Sequence, residues 1–162
     1  MVAVTSSGTA KMSLPADEQI LVTREFAAPK HLVYKALTTP ELVKRWWSGQ
    51  RGDVTSVEID LRVGGTWRYV MVANAGFEVA FHGEYREIVP NERLVTTEVF
   101  EGVPEAVAVN IMTLNEKDGR TTLTVLMELT SQEDRDAIIN TGMEAGMQEA
   151  YDLLEQVAVS LM

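Results

Sequence analysis

From Val54 to Thr130 apolar and polar residues alternate with a period of two. The alternation is interrupted at Val63-Gly64-Gly65, Asn74-Ala75-Gly76, Val89-Pro90-Asn91, Glu101-Gly102-Val103-Pro104 and Lys117-Asp118-Gly119. This predicts six consecutive short strands. The Asp118-Gly119 pair is the strongest hairpin signal, because a tight primed turn needs positive φ at both central residues. Short turns between successive strands imply an antiparallel meander. Such a sheet has one apolar face, and something must cover it.

The cover is predicted at the C-terminus. Ser131 with Asp134 three residues on resembles a capping box, and Thr141 with Glu144 repeats the signal. A break near Asn140 to Gly142 separates a short helix from a long one. The long helix carries Met143, Met147, Ala150, Leu154, Val157 and Leu161 on one stripe.

Before the meander, Glu18 to Phe26 reads as a first strand, with Ile20, Val22 and Phe26 on one face and Thr23 and Glu25 on the other. Two short helices follow. Pro29 sits at the start of the first, ahead of Leu32, Val33, Ala36 and Leu37; Thr39-Pro40-Glu41 opens the second, which ends at Trp46 and Trp47. The expected order is one strand, two short helices, six strands and a C-terminal helix: an α+β fold with a seven-stranded antiparallel sheet. Residues 1–17 are expected to be a flexible tail and 18–162 one domain.

Composition narrows the functions. The 162 residues include no cysteine, which removes disulfides and thiolate chemistry. The excess of 24 acidic over 14 basic side chains, a net charge of -10, repels phosphate backbones and argues against a nucleic-acid partner. Met1 to Lys11 has no apolar core of a signal peptide, and no run approaches the roughly 18 apolar residues of a membrane span. A cytoplasmic protein without membrane insertion is expected.

Period-two parity puts Val57, Ile59 and Leu61, then Trp67, Tyr69 and Met71, then Phe77, Val79, Phe81 and Tyr85 on the covered face. With Met112 and Met127 on later strands and Met143 and Met147 on the helix, these form either a filled core or a soft lining for an irregular apolar ligand. Tyr69, Tyr85 and Glu98 are the polar groups expected nearest such a space. Gly142 and Gly146, one helical turn apart, imply a close approach by a strand or a ligand. Charged and polar neighbours such as Glu144, Gln148 and Glu149 exclude a membrane-dimer reading of that spacing.

His82 shares a strand face with Glu78, Glu84 and Arg86, opposite the aromatic set. Polar residues at that spacing are the wet side of a strand, so no metal site is assigned. No phosphate loop, dinucleotide fingerprint or nucleophile elbow occurs; Gly64-Gly65 lies between strands. No cofactor is expected.

Taken in order, Phe26-Ala-Ala-Pro29, Ala36-Leu-Thr-Thr-Pro-Glu41, Trp46-Trp47, Gly64-Gly65-Thr-Trp-Arg68, Phe81-His-Gly-Glu-Tyr85, Val89-Pro-Asn-Glu-Arg-Leu94 and Thr141-Gly-Met-Glu-Ala-Gly146 resemble the activator-of-heat-shock-protein-ATPase homologue family. The resemblance covers Gln19 to Leu161. It implies the helix-grip fold of the START-like, birch-pollen-allergen-like (SRPBCC) superfamily, with a cavity between a curved sheet and the long helix. Eukaryotic members carry a further N-terminal domain that contacts the chaperone. This chain has no room for one, which speaks against a chaperone partner.

Three readings follow. The first is a binding or carrier domain for a small hydrophobic ligand, lined by Trp47, Trp67, Tyr69, Met71, Phe81, Tyr85, Glu98, Met112, Met127, Met143, Gly146 and Met147. The second is a protein-interaction module, a chaperone accessory or homodimer, using an exposed patch at Trp46 and Trp47. The third is an enzyme of the cyclase or hydrolase sort, with Tyr69, Tyr85 or Glu98 as acid or base. They rank in that order: an apolar lining is legible here, whereas no acid–base or nucleophile–base spacing is.

Overall fold

The alternating segments pair into one antiparallel sheet in a computed structural model, which describes residues 10–162. The strands are β1 (Lys11–Ser13), β2 (Gln19–Phe26), β3 (Gly52–Ile59), β4 (Thr66–Ala73), β5 (Glu78–Val89), β6 (Arg93–Phe100), β7 (Val107–Lys117) and β8 (Arg120–Glu128). The helices are α1 (Lys30–Thr38), α2 (Pro40–Val43), α3 (Gln132–Asn140) and α4 (Met143–Ser160). Strand order is β1-β2-β8-β7-β6-β5-β4-β3: β2 pairs with β8, and β3 to β8 form the expected meander.

Among the described residues the sheet has eight strands, not seven. Lys11, Met12 and Ser13 pair with Thr23, Val22 and Leu21, and Ala10 is buried, its N–H and carbonyl bonded to the Gln148 side chain of α4. Residues 10–17 of the expected tail are therefore part of the sheet and its approach. Residues 1–9 lie outside the described residues.

The turns follow their chemistry. Asp118 (φ 54°) and Gly119 (φ 77°) both take positive φ in the β7–β8 hairpin, as a primed turn requires. Ser131 accepts a hydrogen bond from the Asp134 N–H and caps α3. Thr141 does not cap α4. Its hydroxyl donates to the Ile138 carbonyl, and Gly142, at φ 83°, is the residue that stops α3 and starts α4 at a new angle.

The core lies between the sheet and α4. Ile20, Val22 and Phe26 of β2 and Leu123 and Val125 of β8 pack with Leu154, Val157 and Ala158 of α4 and Val33 and Ala36 of α1. Arg24 shares that inner face and is fully buried; its guanidinium reaches Asp152 at 2.8 Å and Glu155 at 3.1 Å on α4 and lies over the Phe26 ring. Parity fails at two positions: Leu61 and Phe77 are exposed because β3 ends at Ile59 and β5 starts at Glu78, which leaves both in turns. Register breaks at Val54/Ser56 and Tyr85/Glu87 mark bulges, where strands bend.

Candidate functional site

Away from β2, α4 and the sheet do not close completely. A pocket of about 340 Å³ remains between the inner faces of β4 to β8, α4 and the turn after α2. It is partly open to solvent, not the enclosed cavity implied by the resemblance.

Trp67, Tyr69 and Met71 of β4 and Phe81 and Tyr85 of β5 form one wall, with Glu98 of β6, Met112 of β7 and Met127 of β8 beside them. Met143, Gly146 and Met147 of α4 face them, and Trp47 stands at one end. Every residue expected in the lining thus borders the same space.

Aromatic rings set the shape of the wall. Trp47 meets Tyr69 and Phe81 edge to face, with centroids 5.4 and 5.7 Å apart, and Trp67 packs on Tyr69 at 4.7 Å. Trp67 fits because its cross-strand partner is Gly83: a Cβ there would fall 1.8 Å from the Thr97 carbonyl oxygen and 2.6 Å from the indole nitrogen. Trp46 is buried, its N–H donating to the Ala36 carbonyl at 2.9 Å. With Trp47 in the pocket wall, the two tryptophans form no exposed patch.

The polar groups inside are few. The Asn110 side-chain N–H donates to Glu98 at 2.9 Å, and burial raises the Glu98 pKa above the ordinary carboxylate range, partly opposed by that bond. Glu98 borders the pocket. Burial also raises the phenols of Tyr69 and Tyr85, with the nearby Tyr85 and Glu98 adding to the effect at Tyr69 and Tyr34 adding to it at Tyr85. Tyr151 of α4 is pushed up to about 12, by burial first and then by Glu98, with Arg24 opposing. The Asn110 side-chain oxygen and the Trp67 indole N–H are buried without a partner.

Arg51 lies at the pocket mouth and accounts for Gly146 of α4, whereas Gly142, just before the helix, is required for its φ of 83°. A Cβ on Gly146 would come within 3.1 Å of the Arg51 guanidinium, which crosses the helix there and pairs with Glu149 at 3.6 Å. A side chain, not a strand, makes the close approach. Asn110 and Tyr151 were absent from the sequence reading, although Asn110 has the parity of Met112 and Tyr151 lies one helical turn beyond Met147.

On the opposite face of the sheet, Arg68 donates twice to Glu101 at 2.9 Å, and His82 Nδ1 lies 2.9 Å from the same carboxylate. His82 is thus tied to Glu101 rather than to Glu78 or Glu84. These bonds, Arg68's first, hold the Glu101 pKa down to about 2. Among the described residues no three His, Asp or Glu side chains are grouped to hold a metal, and no helix is long and apolar enough to cross a membrane.

This architecture recurs in solved structures. A protein from Rhodobacter sphaeroides superposes with a TM-score of 0.86 at 23% identity, over 93% of this chain and 99% of that one. A Nitrosomonas europaea protein gives 0.82 at 25% identity over 91% and 97%, and one from Chromobacterium violaceum 0.74 at 28% over 86% and 96%. No curated protein sequence matches the chain. The family model described as Activator of Hsp90 ATPase homolog 1-like protein matches residues 27–158, most of the 162-residue chain and every element from α1 to α4. The chain belongs to the Activator of Hsp90 ATPase homolog 1-like protein family.

Proposed function

We propose that this chain is a binding or carrier domain for a small hydrophobic molecule, lipid, aromatic or polyketide-like, held between the sheet and α4. The observation that carries this reading is the pocket of about 340 Å³, walled by aromatic rings and methionines and interrupted by few polar groups. Pockets of this size and composition are the usual form of small-ligand sites. A ligand that buries about 200 Å² of apolar surface there gains about 5 kcal/mol before the cost of association. Methionine walls adapt to irregular shapes at little cost in strain.

The test is native mass spectrometry of the purified protein, before and after incubation with lipids, flavonoid-like aromatics and polyketides, read with thermal stability. A retained mass that raises the melting temperature is the expected result, because selective binding to the folded state must stabilise it. No added mass and no shift across the set would overturn the reading.

A second reading rests on Glu98. A carboxyl whose pKa burial raises, in a pocket that Tyr69 and Tyr151 also line, is a candidate general acid. Recovery of the ligand chemically altered in the same experiment would favour it over simple carriage.

A further inference from the structure

Among the described residues that line the pocket, Arg51 is the one base and Glu98 the one acid. Glu98 is set into the wall, whereas Arg51 stands at the mouth with 44% of its side chain exposed. The segment that carries Arg51, between α2 and β3, is pinned to both walls. The Arg51 N–H donates to the Ser48 carbonyl at 3.0 Å, and its carbonyl accepts from the Asn74 N–H of the β4–β5 turn at 2.9 Å. On the other side the Gln50 N–H donates to the Glu149 carboxylate of α4 at 3.2 Å. The side chain then lies over α4 where Gly146 leaves the backbone bare: a Cβ there would come 3.1 Å from Nε and 3.5 Å from Cδ.

Held in this way, the guanidinium has little to bind. Its ion pair with Glu149 spans 3.6 Å, too long for a hydrogen bond, and the same Glu149 oxygen already accepts from the Gln50 N–H. A guanidinium offers five N–H donors in a planar fork. An apolar ligand filling the mouth would strip water from these donors and replace none of their bonds. An ammonium would meet a like charge. A phosphate dianion would bring two charges to one cation that already has Glu149 beside it. A carboxylate brings one charge and two oxygens that match the fork.

The rest of the pocket sets what the carboxylate must be attached to. With a net charge of -10 the chain attracts no small anion by its overall field, so an apolar body among the aromatic rings and methionines must supply most of the affinity. Burial favours the neutral form of Glu98, which lowers the repulsion an acid in the pocket would meet.

Building on the pocket reading, we propose that the ligand is an amphipathic carboxylic acid, its apolar body between the sheet and α4 and its carboxylate at the mouth against Arg51. Fatty acids and aromatic acids share this chemistry.

The experiment is calorimetric titration of the full chain at neutral pH with two sets of compounds. One is 2-naphthoate, methyl 2-naphthoate and 2-naphthylmethylammonium; the other is decanoate, methyl decanoate and decylammonium. In at least one set the carboxylate is expected to bind about tenfold tighter than its methyl ester, with the ammonium weakest and the advantage shrinking as salt is raised. The set that binds tighter identifies the body as aromatic or aliphatic. Arg51→Met is expected to abolish the tenfold advantage and leave the ester's affinity unchanged. Glu149→Gln, which keeps an acceptor for the Gln50 N–H and removes the competing charge, is expected to increase it.

Esters that bind as tightly as their acids, or an advantage that survives Arg51→Met, would overturn the carboxylate assignment and leave the pocket reading intact. Failure of all six compounds to bind would count against the pocket reading itself and the assignment with it. Should Arg51→Met fail to fold, the acid-against-ester comparison in the unaltered protein and in Glu149→Gln decides.

Discussion

Gly83 and Trp67 face each other across β4 and β5, and the missing side chain of one is the space occupied by the other. Gly83→Ala would drive a methyl into the Thr97 carbonyl, so a loss of about 3 kcal/mol is expected, measured as a lower urea midpoint at unchanged slope. Glu98 makes a different prediction, in pH. Its pKa is raised on folding, so the native state holds its proton more tightly than the unfolded chain does. Its contribution is fully present below its ordinary value of 4.5 and is lost as pH rises through the folded value. Glu98→Gln should flatten that decline and leave the protein at least as stable at neutral pH, as urea unfolding at several pH values would show. Glu101 has the opposite sign: its contribution is present above 4.5 and lost as pH falls toward about 2. That ion pair sits on a half-exposed surface, so Glu101→Gln should cost about 1 kcal/mol or less at neutral pH.

At the scale of elements, the glycine that precedes α4 and the one inside it should respond in opposite ways. Gly142 has φ 83°, and Gly142→Ala is expected to cost about 1 kcal/mol by straining the start of the helix. Gly146 has ordinary helical geometry, so Gly146→Ala is expected to gain up to about 1 kcal/mol while pushing aside the half-exposed Arg51. Thermal melts of the two variants would separate a backbone requirement from a packing one.

The elements also show what the sequence made legible. The meander and its turns could be read because each strand is long enough for alternation to show, and the lining followed from parity. Three residues at Lys11–Ser13 are too few to display a period; they become a strand only because β2 offers an edge. Arg24 has the parity of Ile20, Val22 and Phe26, but its charge concealed it until α4 supplied two carboxylates. Asn110 was missed for the same reason. Thr141 was misread because a sequence spacing cannot reveal that the next residue is left-handed.

Across the whole molecule, β2 and α4 are joined at Arg24, which bridges Asp152 and Glu155, while Glu155 also accepts from the Ala27 N–H. Removing the guanidinium strands a largely buried carboxylate, so Arg24→Met should cost about 3 kcal/mol in urea unfolding. Among the described residues the sheet is open and has two edge strands. One is β1, three residues long and beginning with a lysine; the other is β3, broken by the bulge at Val54/Ser56 and carrying Asp53 and Glu58. Neither offers a foreign chain a long, flat, uncharged row of hydrogen-bonding groups. The fold keeps an aromatic-rich pocket partly open while giving strand-by-strand aggregation little to start from.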